Sequence, residues 1–184
     1  MKAFVDVGAF RGSTIRRFKL GPRYSPDWKI YAFECNPKLA DFRYDAGVDV
    51  IRKAAWIDDG ELQFFISRKS PALVQGSSVY REKTTGNLDT DHPVTTPCID
   101  FSAWLSLTFQ PGDTVIVKMN IEGAEYDVLE KCVADGTISL VSELYIQWHN
   151  SKCNIPRARH DALKKALSAV PGLKMFPGYG HLGR

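Results

Sequence analysis

The stretch Phe4-Val5-Asp6-Val7-Gly8-Ala9-Phe10-Arg11-Gly12-Ser13-Thr14 joins an apolar run to a glycine loop and then to a helical pattern. Ala3 to Val7 predicts a buried strand, Gly8 and Gly12 bracket a tight loop, and Ile15, Phe18 and Leu20 continue as a helix. A strand, a glycine loop and a helix in this order present backbone N–H groups and a helix N-terminus to a ligand. The glycines allow positive φ and leave room against the backbone. Asp6 beside the loop argues against a phosphate and for a ligand with positive charge or hydroxyls. S-adenosylmethionine fits that description, with a cationic amino group and sulfonium. An ordinary strand, turn and helix would read the same way.

Outward from this point, strands alternate with helices. Lys29–Glu34 predicts a second strand, and Asn36-Pro37 an N-cap and first position of a helix ending near Gly47. Val48–Trp56 predicts a third strand, with Asp58-Asp59-Gly60 as a hairpin turn into Leu62–Ser67. Residues 68–93 are polar and carry no periodic signal, as expected of a lid or binding loop. A short strand is expected at Val94–Pro97, and Asp100 caps a helix through Leu107. Thr114–Met119 is the strongest strand signal, followed by a helix from Glu125 to Asp135 with Gly136 as its stop. Leu140–Trp148, Arg157–Val170 and Leu173–Phe176 read as strand, helix and short strand. The alternation predicts an α/β fold with a largely parallel sheet, and the 184 residues a single domain.

Composition narrows the function classes. A net charge of +3 is too small to imply nucleic acid, and the basic clusters at 16–19 and 157–165 lie on predicted helices as solvated faces. No apolar run approaches the ~18 residues that a membrane span requires. The first strand begins at once, so no signal peptide is expected. Cys35, Cys98, Cys132 and Cys153 show no paired spacing, which suits reduced thiols and a cytoplasmic setting. No metal-ligand spacing stands out.

In a parallel sheet the ligand sits beyond the carboxyl ends of the strands. Those ends carry Asp6 and Gly8, then Glu34 with Cys35, then Ala55-Trp56, then Asn120 to Glu122, then His149. Glu34 follows Gly12 by 22 residues, near the ~20 at which an acid meets ribose hydroxyls. A solvated strand-end acid is the alternative. In Lys118-Met119-Asn120-Ile121-Glu122-Gly123-Ala124-Glu125, polar residues alternate at the end of an apolar strand before a glycine at a helix start.

This segment resembles the K-x-D-x-E-G-x-E signature of FkbM-family S-adenosylmethionine-dependent methyltransferases. The resemblance extends to Asp6-Val7-Gly8-Ala9 and Gly12, where that family commonly has D-V-G-A-N-x-G, and to Phe33-Glu34 followed by Asn36-Pro37. It continues through Ala54-Ala55 before Gly60, Ile99-Asp100 before a helix, and the strand Val141–Ile146. It implies a Rossmann-like class I methyltransferase fold, a mostly parallel central sheet with helices on both faces. The short C-terminal end predicts a shortened closing hairpin. It further implies S-adenosyl-L-methionine as cofactor, held by Asp6, Gly8, Phe10, Gly12, Glu34, Cys35, Ala55, Trp56 and Asn120. Methyl transfer in such a family is commonly to a hydroxyl of a small molecule or sugar, with no nucleic-acid or membrane partner expected here.

Two positions depart from the family pattern. Phe10 stands where Asn is usual, and Asn120 where Asp is usual; Asn can still accept from an amino group but carries no charge. A hydroxyl nucleophile benefits from a base. His149 is the first candidate, with an unperturbed pKa of ~6.5, or else it is a solvent-facing strand-end residue. On strand alternation it faces away from Leu144, Ile146 and Trp148. Glu122 is the second candidate; it could accept a proton, hold substrate or cap the helix. Pro97-Cys98 reads as a buried cysteine beside a proline, since it precedes the Val115–Met119 strand and no cytosine-methyltransferase motif accompanies it. The alternatives to a methyltransferase are a degenerate cofactor-binding module and a nicotinamide-dependent oxidoreductase. Asp6 and the lack of G-x-G-x-x-G count against the latter.

Overall fold

The computed structural model describes residues 1–68, 75–180 and 182. In chain order the elements are β1 (Lys2–Val7), α1 (Ser13–Leu20), β2 (Trp28–Phe33), β3 (Val48–Ile51), β4 (Ala54–Trp56) and β5 (Gly60–Phe64). Then come β6 (Val94–Asp100), α2 (Phe101–Thr108), β7 (Thr114–Met119), α3 (Glu125–Ala134), β8 (Glu143–Ile146), α4 (Arg157–Ser168) and β9 (Lys174–Pro177). Six strands form one sheet in the order β3-β2-β1-β7-β8-β9, every neighbouring pair parallel. The strand order reverses between β1 and β7, and a crevice at that point is where such sheets bind ligands. The fold is the Rossmann-like α/β arrangement that the sequence implies.

Both faces of the sheet are covered, which is why its strands read as apolar runs. Ala3, Val5, Val7, Val115, Val117 and Leu144 pack with Phe101 and Leu105 of α2, Val128 and Leu129 of α3, and Leu163 and Leu167 of α4. Phe4, Ile30 and Ile116 point the other way, onto Ile15 and Phe18 of α1. Phe18 is fully buried; its ring stacks on Phe4 at 4.4 Å and meets Trp28 edge-on at 4.9 Å. Burying each such side chain stabilises by ~1.5–3 kcal/mol.

Several local expectations are corrected. The helix expected from Asn36 to Gly47 is one 3₁₀ turn, Pro37–Leu39. Asn36 does cap it, its side chain accepting from Lys38 N at 3.0 Å. Arg52 then donates to the carbonyls of Leu39 and Phe42, the acceptors a longer helix would use. The strand expected over Val48–Trp56 breaks into β3 in the main sheet and β4 in a second sheet, ordered β4-β6-β5. β4 and β5 therefore form no hairpin. The seven-residue β6 lies between them, parallel to one and antiparallel to the other, and extends past Pro97 to Asp100. The strand expected over Leu140–Trp148 is only Glu143–Ile146, with a 3₁₀ turn over Thr137–Leu140 before it. Asp100 caps α2 as expected, accepting from Ala103 N at 2.9 Å. Among the described residues the main sheet has no antiparallel strand beyond β9.

Within the segment 68–93, residues 69–74 lie outside the described residues. The rest is tied to the fold by bridges from Phe65 to Ser78 and from Ser67 to Leu88. No described helix is long and apolar enough to cross a membrane.

Candidate active site

At the end of β1 the backbone N–H groups of Gly8 and Ala9 both donate to Phe33 O at 3.0 Å, holding the loop against β2. Gly8 has φ 77, and a Cβ there would lie 2.2 Å from the backbone oxygen of Asn120. Any other residue must push β7 away from β1. Gly8→Ala is therefore expected to cost about 2–3 kcal/mol through strain and overpacking, lowering the Tm by roughly 4–12 °C in a chain of this size. A thermal melt with an unchanged midpoint would show that the Asn120 backbone yields freely. Phe10 also adopts positive φ, at 51°, a conformation that asparagine tolerates better. It is held by two bonds: its N–H donates to Glu34 Oε2 at 2.7 Å, and its carbonyl accepts from the Tyr44 hydroxyl.

Glu34 is buried, not solvated. Its second oxygen, Oε1, accepts from Asn36 N at 2.8 Å. Burial pushes this carboxyl above its ordinary range, and the two backbone donors pull it back. Each oxygen keeps a further lone pair for a ligand donor.

Beyond these strand ends opens a cavity of about 270 Å³. Gly8, Phe10, Glu34, Cys35, Ala55, Asn120 and Glu122 line it, together with Ser13 and Thr14 from the uncapped first turn of α1. Asp6, Gly12, Trp56 and His149 are not among the residues lining it. Gly12 faces the Tyr44 ring. Trp56 borders a neighbouring groove with Tyr80 and Arg81.

Asp6 is fully buried behind the loop, and its partner is internal: Lys118 Nζ lies 2.8 Å from Oδ1. Burial raises the Asp6 carboxyl, with the Lys118 ammonium opposing it. Lys118 also donates to Gly8 O at 2.8 Å, so the pair ties β1, its loop and β7 together. Lys118 was absent from the sequence-derived site. The signal for it was a lysine inside one apolar strand and an aspartate inside another, which a buried sheet tolerates only when they meet.

Glu122 lines the same cavity. Its Oε2 is 3.2 Å from Lys83 Nζ and 3.5 Å from His149 Nε2. Lys83, from the 75–93 segment, is buried and also donates to Gly76 O at 2.7 Å and Thr85 O at 3.0 Å. His149 is 2% exposed, neither at the surface nor on the cavity wall. Strand alternation does not reach it, because β8 stops at Ile146. Its backbone N–H and Nδ1 both turn to Glu125 Oε1, at 2.8 and 3.1 Å. Glu125 is wholly buried and accepts from Gly123 N at 2.8 Å with its other oxygen. Glu125 and Lys83 were not foreseen as site residues.

The family model of the methyltransferase FkbM domain matches residues 6–167. The chain belongs to the FkbM methyltransferase family. No curated protein and no solved structure matches it closely enough to be compared. In this FkbM domain the signature positions divide by task. Lys118 neutralises Asp6 and Glu125 holds the turn before α3. Gly123, at φ 118, leaves no room for a Cβ, which would sit 2.6 Å from Cys153 Sγ and 2.7 Å from Tyr80. Glu122 and Asn120 reach the cavity. Asn120 Oδ1 is buried with no partner among the described residues, while Nδ2 donates to Tyr179 Oη at 3.4 Å.

Proposed function

We propose that this chain transfers a methyl group from S-adenosylmethionine to a hydroxyl oxygen of a small molecule or sugar. The observation that carries the reading is the Asn120 side-chain oxygen Oδ1, buried and without a partner among the described residues, on a residue that lines the cavity. Leaving such an acceptor unpaired costs ~1–3 kcal/mol, and the ligand's ammonium would satisfy it. Glu34 supplies carboxylate oxygens at the β2 end, suited to a ribose diol. When bound, S-adenosylmethionine supplies an electrophilic methyl for in-line displacement. The chain's own residues hold the acceptor, exclude water and take up a proton.

Glu122 takes up that proton in this reading, supported by its presence among the residues lining the cavity. His149 acts through it as a positioning residue, fixed by Glu125 on one side and facing Glu122 Oε2 on the other. In this reading the methyl acceptor lies toward Gln75, Gly76, Ser77 and Val79, which also line the cavity. We take the setting to be cytoplasmic, in keeping with four free cysteines, with no nucleic-acid or membrane partner.

Thermal shift and calorimetry with S-adenosylmethionine, S-adenosylhomocysteine and NAD test the cofactor. At a hundredfold excess over Kd, the methionine ligands are expected to stabilise by about 2.7 kcal/mol, a Tm rise of roughly 5–10 °C. Glu34→Ala should remove most of that rise. A response to NAD alone would overturn the assignment.

A further inference from the structure

We infer that Tyr179, which lies beyond the matched family domain, is a ligand-binding residue that pairs with Asn120 to recognise a zwitterionic amino-acid group. The inference rests on S-adenosylmethionine being the ligand. After β9 the chain turns at Gly178, whose φ is 66° and whose N–H donates to Ile146 O at 2.7 Å. This carries Tyr179 onto the cavity wall. Two contacts hold it there: Arg17 donates to its carbonyl at 3.4 Å, and Leu182, one turn on, is buried with the α1 core.

The Asn120–Tyr179 hydrogen bond decides what the amide offers. An amide has a donor end and an acceptor end. Tyr179 Oη takes the Nδ2 end, which leaves Oδ1 as the buried acceptor without a partner among the described residues. Because Oη accepts in that bond, its own proton remains available to donate. The pair thus presents one acceptor and one donor side by side, with the Lys118 ammonium 5.3 Å from the tyrosine ring. An ammonium suits Oδ1 and a carboxylate suits the hydroxyl. Where the family usually has a carboxylate, this chain has a neutral amide oriented by a tyrosine from outside the domain.

Calorimetric titrations with S-adenosylhomocysteine and with 5′-methylthioadenosine, which lacks the amino-acid group, test the inference. Tyr179→Phe is expected to raise the Kd for S-adenosylhomocysteine about tenfold, the scale of one hydrogen bond to a charged group, and to leave 5′-methylthioadenosine within twofold. In the Asn120→Asp variant, binding should tighten, and the added Tyr179→Phe penalty should shrink because a carboxylate needs no orientation. Equal S-adenosylhomocysteine binding by wild type and Tyr179→Phe would overturn the role of Tyr179 while leaving the cofactor reading intact. Equal loss of both ligands would also overturn it, since the hydroxyl would then serve only the fold. A wild-type protein that binds neither ligand would overturn the cofactor reading and this inference together.

Discussion

Glu122→Gln is expected to lower kcat for methyl transfer by ~10²–10⁴, the range for losing a positioned general base, with little change in the Kd for S-adenosylhomocysteine. Glutamine keeps the size and a hydrogen-bonding carbonyl but cannot take up a proton. Glu122 is among the residues lining the cavity, whereas His149 is not and meets Glu122 Oε2 at 3.5 Å. His149→Ala should therefore lower kcat as well, and adding it to Glu122→Gln should cost little more, because two residues acting as one unit are non-additive. The measurement is steady-state turnover of the single and double variants with an accepted substrate, beside cofactor titration. If kcat and kcat/KM fall together, the lost interaction belongs to the transition state. Full turnover in Glu122→Gln would remove it from the chemistry. Lys83 loses its carboxylate partner in that variant and keeps two carbonyl acceptors, so a melting curve of the variant is needed to separate lost catalysis from lost stability.

Lys118→Met is expected to destabilise the protein by about 3–5 kcal/mol, the usual result of removing one partner of a buried ion pair. The Tm should fall by roughly 6–20 °C. The pair sits across the β1–β7 register, with Asp6 directly opposite Lys118. Both side chains are nearly inaccessible, at 0% and 3%. Burial raises the Asp6 carboxyl and the Lys118 ammonium restrains that rise, so methionine leaves burial unopposed. The sign of the pH dependence follows. A carboxyl whose folded pKa lies above its unfolded value of 3.8 binds more protons when folded, and stability is lost as pH rises through the folded pKa. The deficit of Lys118→Met relative to wild type should accordingly narrow as pH is lowered from neutrality toward 4. Melting curves of both proteins across that range check it. A deficit that widened on acidification would mean that Asp6 is not the group left unpaired.

The sequence by itself determined the frame of this molecule. β1, the Gly8 loop and α1, the strand that leads into Glu34, the Asp100 cap and the Gly136 stop stand where periodicity and capping chemistry put them, within a residue or two. These signals are local. A buried parallel strand must be apolar, and a left-handed turn favours glycine, whatever the rest of the chain does. The order of motifs also carried the family, because the signature residues cluster where strands β1 and β7 give way to loops and helix starts.

Only the tertiary structure decided which groups meet. β6 separates β4 from β5 although those two are neighbours in sequence, because one longer strand satisfies the backbone of both. His149 turns to Glu125 once β8 has stopped, and side-chain alternation says nothing past the last residue of a strand. Asp6 spends its charge on Lys118, 112 positions away, and Asn120 finds a tyrosine beyond the family domain. Such pairings depend on which chemically possible partner the packed backbone brings within reach. Residue type and spacing define the candidates; distance in the fold selects among them.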